Sequence, residues 1–203
     1  MIVVVDYGMG NLRNVRRAFH EIGEEVSVTG DAGTIAGAKA LVLPGVGAFG
    51  EAVRRIEQLG LREVLLRHAS AGKPLLGICL GMQLLFEGSE ESPGARGLGI
   101  FKGKSRKFGA GVKVPHIGWN DVVPVAGSAL GRLLSPSGCF YFVHSYYVPD
   151  SPAKAGVTRH GVEFVSAVHS GAIMGFQFHP EKSQTPGLSL LREFVRISGE
   201  RGS

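Results

Sequence analysis

Short apolar runs alternate with amphipathic segments through the first ninety residues of the chain. Residues 2–5 form a continuous apolar run, which is typical of a strand buried on both faces. Asn11 precedes apolar residues at helical spacing, so we expect it to cap a helix that Gly23 ends. The alternation continues with strands at 26–28, 40–43 and 75–78, and with helices at 51–59 and 61–70 hinged at Gly60. This order predicts a mostly parallel sheet with helices on both faces.

The pattern changes after Gly88, where apolar runs become short and are separated by turns. We expect strands at 112–120, 140–148, 162–169 and 172–178, with a small helix at 128–134 and a two-residue turn at Ser170 and Gly171. These strands are predicted to be antiparallel extensions of the same sheet. A short loop at 184–187 is expected to lead into an amphipathic C-terminal helix that covers the sheet.

Length and composition favour one α/β domain that spans residues 1–203. The chain has 203 residues, of which 44% are hydrophobic, and this is enough for a single large core. The N-terminal apolar run is too short for a signal peptide or a membrane span, so we expect a cytoplasmic protein with no membrane partner. The two cysteines, Cys79 and Cys139, do not form a Cys-x-x-Cys pair, and reduced thiols are expected.

The net charge of +5 would suit a protein that binds nucleic acid. Most lysines and arginines are dispersed among acidic residues, so nucleic acid is not an expected partner. One basic patch contains no acid. It is either a solvated hairpin or a docking surface for an acidic partner or a phosphorylated ligand, and it consists of Lys102, Lys104, Arg106, Lys107 and Lys113.

A cysteine lies at the predicted junction of a strand and a helix, within the sequence Gly77-Ile78-Cys79-Leu80-Gly81. Flanking glycines let a strand and a helix pack closely around a strained residue whose side chain projects above the sheet. This is the nucleophile-elbow pattern with cysteine in place of serine. The alternative for Cys79 is a buried packing residue, which is also how we interpret Cys139.

A literal Gly-x-Gly-x-x-Gly runs from Gly45 to Gly50, but it is a poor dinucleotide fingerprint. Pro44 opens it, and it follows the third predicted strand. The next 25 residues offer two predicted helices and no strand that carries an acid for a ribose. A loop at the carboxyl edge of a parallel sheet can instead present backbone N–H groups to an anion.

A histidine and a carboxylate, His179 and Glu181, follow the strand predicted at 172–178. Pro180 fixes the backbone between them, so both side chains can leave the strand end in a common direction. A surface turn with a salt bridge is the alternative, but cysteine, histidine and carboxylate are the groups that nucleophilic acyl transfer requires. The other histidines lack the spacing of a metal site, so neither a metal nor a cofactor is expected.

Together these motifs resemble the class I, triad-type glutamine amidotransferases, whose fold is an open, flavodoxin-like α/β sheet. The resemblance rests on Gly-Ile-Cys-Leu-Gly-Met-Gln at 77–83, Pro-Gly-Val-Gly at 44–47 and His-Pro-Glu at 179–181. Stretches at 5–12, 115–120, 140–146 and 179–183 are similar, more narrowly, to the glutaminase subunits of imidazole glycerol phosphate synthases. Such subunits act in histidine biosynthesis and form a heterodimer with a (β/α)₈ barrel synthase subunit.

The resemblance implies a mechanism and a set of site residues. Cys79 would attack L-glutamine as a thiolate to form a γ-glutamyl thioester, His179 would transfer protons, and Glu181 would orient the imidazole. Glutamate and ammonia would be released, and the barrel partner would use the ammonia to make imidazole glycerol phosphate and AICAR. The implied oxyanion hole is Leu80 with Val46 and Gly47, the implied glutamine contacts are Gln83, His144, Ser145 and Tyr146, and the implied partner interface is Asn11, His116, Trp119, Asn120, Tyr141 and Lys182.

Other functions remain open at this point. The chain could be the glutaminase subunit of another pathway, such as anthranilate or pyridoxal phosphate synthesis, which only partner-facing residues at 115–120 and 182–183 would distinguish. It could also be a cysteine-dependent peptidase or stress-type hydrolase on a similar sheet, or a binding module whose cysteine is idle.

Overall fold

The computed structural model describes residues 1–134 and 138–200, so residues 135–137 and 201–203 of the predicted domain lie outside the described residues. The helices are α1 (Leu12–Glu21), α2 (Ala32–Ala36), α3 (Phe49–Gln58), α4 (Leu61–Ser70), α5 (Leu80–Leu84), α6 (Gly131–Leu134) and α7 (Gln184–Glu200), with a 3₁₀ turn at Pro180–Lys182. The strands are β1 (Ile2–Val5), β2 (Val26–Thr29), β3 (Ala40–Gly45), β4 (Leu75–Cys79), β5 (Phe86–Ser89), β6 (Phe101–Lys107), β7 (His116–Asp121), β8 (Val123–Pro124), β9 (Cys139–His144), β10 (Tyr146–Tyr147), β11 (Lys154–His160), β12 (Val162–Ser170) and β13 (Ile173–Phe176).

The central sheet has the strand order β2-β1-β3-β4-β13-β12-β11-β8. Neighbours from β2 to β13 are parallel, and those from β13 to β8 are antiparallel. All four residues of β1 are buried, because alternate side chains enter separate hydrophobic clusters on the two faces of the sheet. The predicted fold class is therefore confirmed: an open, mostly parallel α/β sheet with antiparallel extensions in the C-terminal half.

Several details of the C-terminal half differ from the prediction. The strand predicted at 172–178 is β13, and it runs parallel to β4, where it completes the parallel part of the sheet. The strands predicted at 112–120 and 140–148 do not extend the central sheet. Instead β7 pairs with β9 in a separate two-stranded ribbon, and β10 joins β6 and β5 in a small three-stranded sheet.

The basic patch lies mostly on β6, a strand that the sequence pattern did not predict. On β6 the buried Phe101 and Ser105 alternate with exposed lysines and arginines, so only one face of the strand is apolar enough to be seen as a pattern. Because β6 is parallel to β5 and antiparallel to β10, the predicted hairpin is wrong.

Two predicted turns also change. Ser170 pairs with Ile173, so Gly171 and Ala172 form the turn between β12 and β13, one residue later than expected. The loop predicted at 184–187 is the first turn of α7. There the backbone of Gly187 lies so close to the carbonyl group of Pro180 that a Cβ would overlap it, and this close approach anchors the start of the helix. No described helix is long and apolar enough to cross a membrane.

The junction of β4 and α5 is packed at backbone contact. A Cβ on Gly77 would lie 2.8 Å from the carbonyl carbon of Gly81, and a Cβ on Gly81 would overlap the carbonyl oxygen of Leu43 in β3. Real Cβ atoms are excluded at such distances. The two glycines therefore allow α5 to start directly above the sheet and place Cys79 at its carboxyl edge.

We predict that Gly81→Ala destabilises the protein strongly, because the added methyl group would displace β3 from α5. The free energy of unfolding should fall by roughly 3 kcal/mol or more, as measured by chemical denaturation. Gly109→Ala is the matched control, since a Cβ at Gly109 has no neighbour within 4 Å. A Gly81→Ala protein as stable as the control protein would show that the close approach is not required.

Candidate active site

Cys79 lies at the sharp bend between β4 and α5 in a strained backbone conformation. Its φ of 55° and ψ of −110° lie outside the regions that residues with a side chain ordinarily occupy. The residue is 6% exposed. Its Sγ lies 3.7 Å from the carbonyl oxygen of Val143 and 3.8 Å from Nε2 of Gln177. The strain holds the sulfur at one position at the edge of the sheet.

His179 and Glu181 form a buried pair beside this sulfur. Nδ1 of His179 and Oε1 of Glu181 are 2.7 Å apart, and the two side chains are 2% and 1% exposed. Within the described residues Nε2 of His179 has no hydrogen-bond partner. Burial opposes a charge on the ring, but a thiolate at Cys79 and the carboxylate of Glu181 outweigh it and raise the pKa of His179 to about 10. The surroundings of His179 therefore favour its protonated, imidazolium form.

Ser183 anchors the segment that carries His179. Its hydroxyl donates to the carbonyl oxygen of His179 over 2.6 Å and accepts from the backbone N–H of Tyr141 over 3.0 Å. The N–H of His179 donates in turn to the carbonyl oxygen of Tyr141 over 2.9 Å. The turn after β13 is thus tied to β9. Since Ser183 is fully buried, it does not lie on the surface where the sequence analysis placed it.

A cavity of about 330 Å³ opens above Cys79. Its lining includes every residue that the resemblance assigned to the oxyanion hole and to glutamine: Val46, Gly47, Leu80, Gln83, His144, Ser145 and Tyr146. A larger depression of about 600 Å³, lined by Arg62, Arg96 and Lys104 among others, contains none of these residues and neither Cys79 nor His179. The smaller cavity is therefore the candidate site, because it brings the strained Cys79 to a space of substrate size.

The loop after β3 forms one wall of this cavity. Gly47 has a φ of +94°, and Val46 is 41% exposed at the mouth. Tyr7 supports the loop from below, since its hydroxyl donates to the carbonyl oxygen of Pro44 over 2.8 Å. Burial, together with negative charge at Cys79, raises the pKa of Tyr7, so its hydroxyl remains a neutral donor.

The glycine-rich stretch from Gly45 to Gly50 has no free helix N-terminus for a dinucleotide. The first N–H groups of α3 are already bound by side chains of a distant loop. Phe49 donates to the carboxylate of Glu91 over 2.7 Å, and Gly50 donates to the hydroxyl of Ser92 over 3.1 Å.

At the back of the cavity, the carbonyl oxygen of Tyr146 accepts hydrogen bonds from two side chains. It accepts from Nε2 of Gln83 over 3.0 Å and from Nδ1 of His144 over 2.8 Å. A carbonyl oxygen can only accept, so His144 carries its proton on Nδ1 and must accept on Nε2. His116 therefore donates from Nδ1 to His144 over 3.0 Å, and Asn120 donates to Nε2 of His116 over 3.1 Å. Both rings are neutral in this arrangement.

Four of the predicted interface residues, His116, Trp119, Asn120 and Tyr141, lie on the β7–β9 ribbon and are divided between its two faces. Trp119, which is 48% exposed, and Ile117, which is 59% exposed, lie on the outer face. Tyr141 is opposite Trp119, and the ammonium group of Lys182 lies 5.4 Å from the centre of the Tyr141 ring. His116 is 4% exposed because strand alternation turns it and Asn120 inward. Asn11 caps α1, which packs against the 3₁₀ turn at Pro180–Lys182.

Sequence reasoning missed the roles of four residues at the candidate site: Tyr7, Glu91, Gln177 and Ser183. Ser183 was predicted on the surface, whereas it is buried and ties the His179 segment to β9. Glu91 lines the cavity, and Gln177 contacts both Gln83 and Cys79. Gln177 carried a usable signal, since it is a polar residue between two phenylalanines in Phe176-Gln177-Phe178. Tyr7 and Glu91 come from loops with no such pattern.

A family model described as glutamine amidotransferase class-I matches residues 3–197 of the chain. Proteins named imidazole glycerol phosphate synthase subunit HisH are similar over nearly their whole length. The protein from Methanothermobacter thermautotrophicus is 48% identical over 97% of this chain and 98% of its own. The protein from Aquifex aeolicus is 49% identical over 96% of this chain and 95% of its own.

Solved structures with low sequence identity share the fold. A crystal structure of a glutamine amidotransferase matches with a TM-score of 0.76 at 20% identity, over 98% of both chains. The structure of PurLQS from Thermotoga maritima matches with a TM-score of 0.73 at 19% identity, over 96% of this chain and 97% of that one. At this identity the likeness concerns the fold alone.

We predict that acid destabilises the protein through its neutral histidines. Burial, with positive charge on neighbouring rings, lowers the pKa of His116 to about 4 and that of His144 to about 3. The unfolded chain, with ordinary values near 6.5, binds more protons below that pH, so stability is lost as the pH falls from 6.5 towards 4. Together the two rings should lower the free energy of unfolding by roughly 2 kcal/mol between pH 6.5 and 5.5, as measured by urea denaturation.

The variant His116→Gln isolates one ring of the pair. His68 and His169, whose pKa values burial also lowers, titrate in both proteins, so the difference between the two slopes belongs to His116. Over the same pH interval, the free energy of unfolding should fall by about 1 kcal/mol less in the variant than in the parent protein. Identical slopes would contradict a neutral His116 in the folded protein.

Proposed function

This chain belongs to the class-I glutamine amidotransferase family, and we propose that it hydrolyses L-glutamine at Cys79 and delivers the ammonia to a synthase partner. Its relatives named as subunits of imidazole glycerol phosphate synthase support a glutaminase subunit of that synthase, acting in histidine biosynthesis. The observation that carries the proposal is the strained Cys79 at the floor of a 330 Å³ cavity, with the buried His179 and Glu181 pair beside it.

The first half-reaction forms a γ-glutamyl thioester. The Cys79 thiolate attacks the side-chain amide carbon of glutamine, and the C–N bond breaks as His179 transfers its Nε2 proton to the leaving nitrogen, which departs as ammonia. The imidazolium that the site favours supplies this proton, and such acid catalysis contributes roughly 10² to 10⁴ in rate. Glu181 holds Nδ1 and so keeps Nε2 directed at the reacting atoms.

The second half-reaction releases glutamate. Neutral His179 now accepts a proton from water as the water oxygen attacks the thioester carbon, the C–S bond breaks, and the thiolate and imidazolium are restored. In both halves the tetrahedral oxyanion accepts hydrogen bonds from the N–H of Leu80 and from the peptide between Val46 and Gly47. Each such donor is worth roughly 10² to 10³ in rate. Gly47, already at a positive φ, lets that peptide turn towards the oxyanion at little cost.

The cavity lining supplies groups for both ends of glutamine. Gln83 uses Nε2 to hold Tyr146 and Gln177, and its Oε1 has no partner among the described residues. This oxygen can accept from an N–H group of the substrate. The carboxylate of Glu91 lies at the cavity wall and can pair with the α-ammonium group. The backbone at Ser145 and Tyr146 lies opposite and offers further polar contacts.

The partner surface is the outer face of the β7–β9 ribbon. Ile117 and Trp119 are large exposed apolar side chains, and a patch of this kind on a folded chain marks an interaction site. Ile117 pairs with Val143, which lines the cavity, so a partner seated on the patch would also cover the cavity mouth. That arrangement would keep ammonia out of bulk water, and it suits the (β/α)₈ barrel subunit of a heterodimer in the cytoplasm.

We predict that Cys79→Ala abolishes glutamine hydrolysis, because no other group can form the thioester. Glutamate release, measured with the synthase subunit and its nucleotide ligand present, should fall by roughly 10⁴-fold or more. Cys139→Ala is the control, since this half-buried thiol lies in β9 outside the cavity lining. Turnover retained by Cys79→Ala would remove Cys79 as the nucleophile.

We predict that Trp119→Ala weakens binding of the synthase subunit. Aromatic residues at the centre of an interface contribute about 2 kcal/mol or more, so the dissociation constant should rise roughly 30-fold in titration calorimetry. Val123→Ala is the control, because Val123 is as exposed as Ile117 but lies in β8, on the far edge of the central sheet. Equal affinities of the two variants would place the interface elsewhere.

A further inference from the structure

The side-chain amide of Gln177 lies against the sulfur of Cys79. Gln177 directly follows β13 and is completely buried, and its Nε2 is 3.8 Å from Sγ. The flanking Phe176 and Phe178 stack on each other with centroids 5.0 Å apart, and strand alternation directs Gln177 away from them. Its backbone N–H donates to the carbonyl oxygen of Ser166 over 2.9 Å. The amide therefore has little freedom to move.

Hydrogen-bond chemistry fixes which end of this amide faces the sulfur. The carbonyl oxygen of Tyr146 can only accept, so the atom of Gln83 that contacts it is the donor Nε2. That same Nε2 lies 3.0 Å from the end of Gln177, which must then be the acceptor Oε1. The NH₂ group of Gln177 is left for Cys79. Gln83 thus orients Gln177 so that it donates to the sulfur.

Besides the imidazole of His179, two groups contact the sulfur, and they favour opposite protonation states. The carbonyl oxygen of Val143, 3.7 Å away, accepts a hydrogen bond from a thiol and offers nothing to a thiolate. The NH₂ group of Gln177 donates, and a donor stabilises the anion much more than the neutral thiol, because hydrogen bonds to charged groups are the stronger ones. A buried thiolate without such a donor would be costly.

We propose that Gln177 is a further catalytic residue, which hydrogen-bonds the Cys79 thiolate before attack and whenever the thiolate is released, with Gln83 as its positioning residue. The proposal rests on the function proposed above, in which Cys79 is the nucleophile. It also gives Gln83 a second task besides contact with glutamine. Gln83 hydrogen-bonds both the backbone of Tyr146 and the amide of Gln177. One side chain therefore positions the wall of the cavity and also the donor that faces the sulfur.

The test is the pH dependence of alkylation by iodoacetamide on the full chain, with Cys79 and Cys139 quantified separately by peptide mass spectrometry. Gln177→Met keeps the length and volume of the side chain but removes the donor. The pH of half-maximal alkylation at Cys79 should rise by about one unit, and kcat for glutamate release at neutral pH should fall about tenfold while KM changes little.

Cys139 serves as an internal reference, and its alkylation profile should be the same in every variant. Ser166→Ala is the matched control, because Ser166 is buried next to Gln177 and its hydroxyl has no partner in the described part of the chain. It should leave the Cys79 profile unchanged. Gln83→Met provides a second test, since it frees the Gln177 amide and should shift the profile in the same direction by a smaller amount.

The outcomes separate this inference from the function on which it rests. If Gln177→Met folds, as thermal unfolding and the Cys139 profile report, and the Cys79 profile is unchanged or shifts to lower pH, the role of Gln177 is refuted. If Gln177→Met does not fold, an unshifted Cys79 profile in Gln83→Met refutes it instead. If Cys79 in the unaltered chain reacts with the same pH profile as Cys139, the assignment of Cys79 as nucleophile fails, and the inference fails with it.

Discussion

The site depends on one backbone constraint, which is the strained, positive-φ conformation of Cys79 between β4 and α5. A residue with a side chain adopts this conformation only when its surroundings enforce it. Gly77 and Gly81 make that possible, because their missing side chains let α5 rest on the backbone of β3 and β4. The packing of the buried strands β3 and β13 on either side of β4 offsets the local strain. The sulfur is consequently held where the carboxyl ends of the parallel strands meet, at the position where open α/β sheets bind ligands.

Charge at the site is organised around a buried imidazole. His179 receives a carboxylate at Nδ1 and faces the Cys79 sulfur at the other side of the ring, and these two negative groups overcome the penalty of burial. His116 and His144 behave in the opposite way, since burial and neighbouring histidine rings lower their pKa values and keep them neutral. The fold thus sets the charge of these three histidines by their surroundings, and among them the ring beside Cys79 is prepared to donate a proton.

A continuous set of hydrogen bonds connects the β7–β9 ribbon with Cys79. Asn120, His116 and His144 lead to the carbonyl oxygen of Tyr146, and Gln83 and Gln177 lead from it to Cys79. The outer face of the same ribbon carries the exposed Trp119. A partner bound there would touch the strand whose inner face orients the substrate wall. This set of hydrogen bonds offers a physical path by which binding of a partner could affect the sulfur.

The sequence by itself determined most of the parallel sheet, because runs such as residues 2–5 and 40–43 are continuously apolar. It also indicated the elbow, because glycines at 77 and 81 flank a cysteine at the predicted junction of a strand and a helix. It also placed His179 and Glu181 at a strand end. Only the tertiary structure decided that β6 is a strand, since its lysines mask the pattern, that β13 is parallel, and that β7 and β9 leave the central sheet. The same holds for the roles of Tyr7, Glu91 and Ser183, for the partners of Gln177, and for the inward turn of His116. Their contacts join residues far apart in the chain, and local periodicity carries no information about which distant backbone a polar side chain will meet.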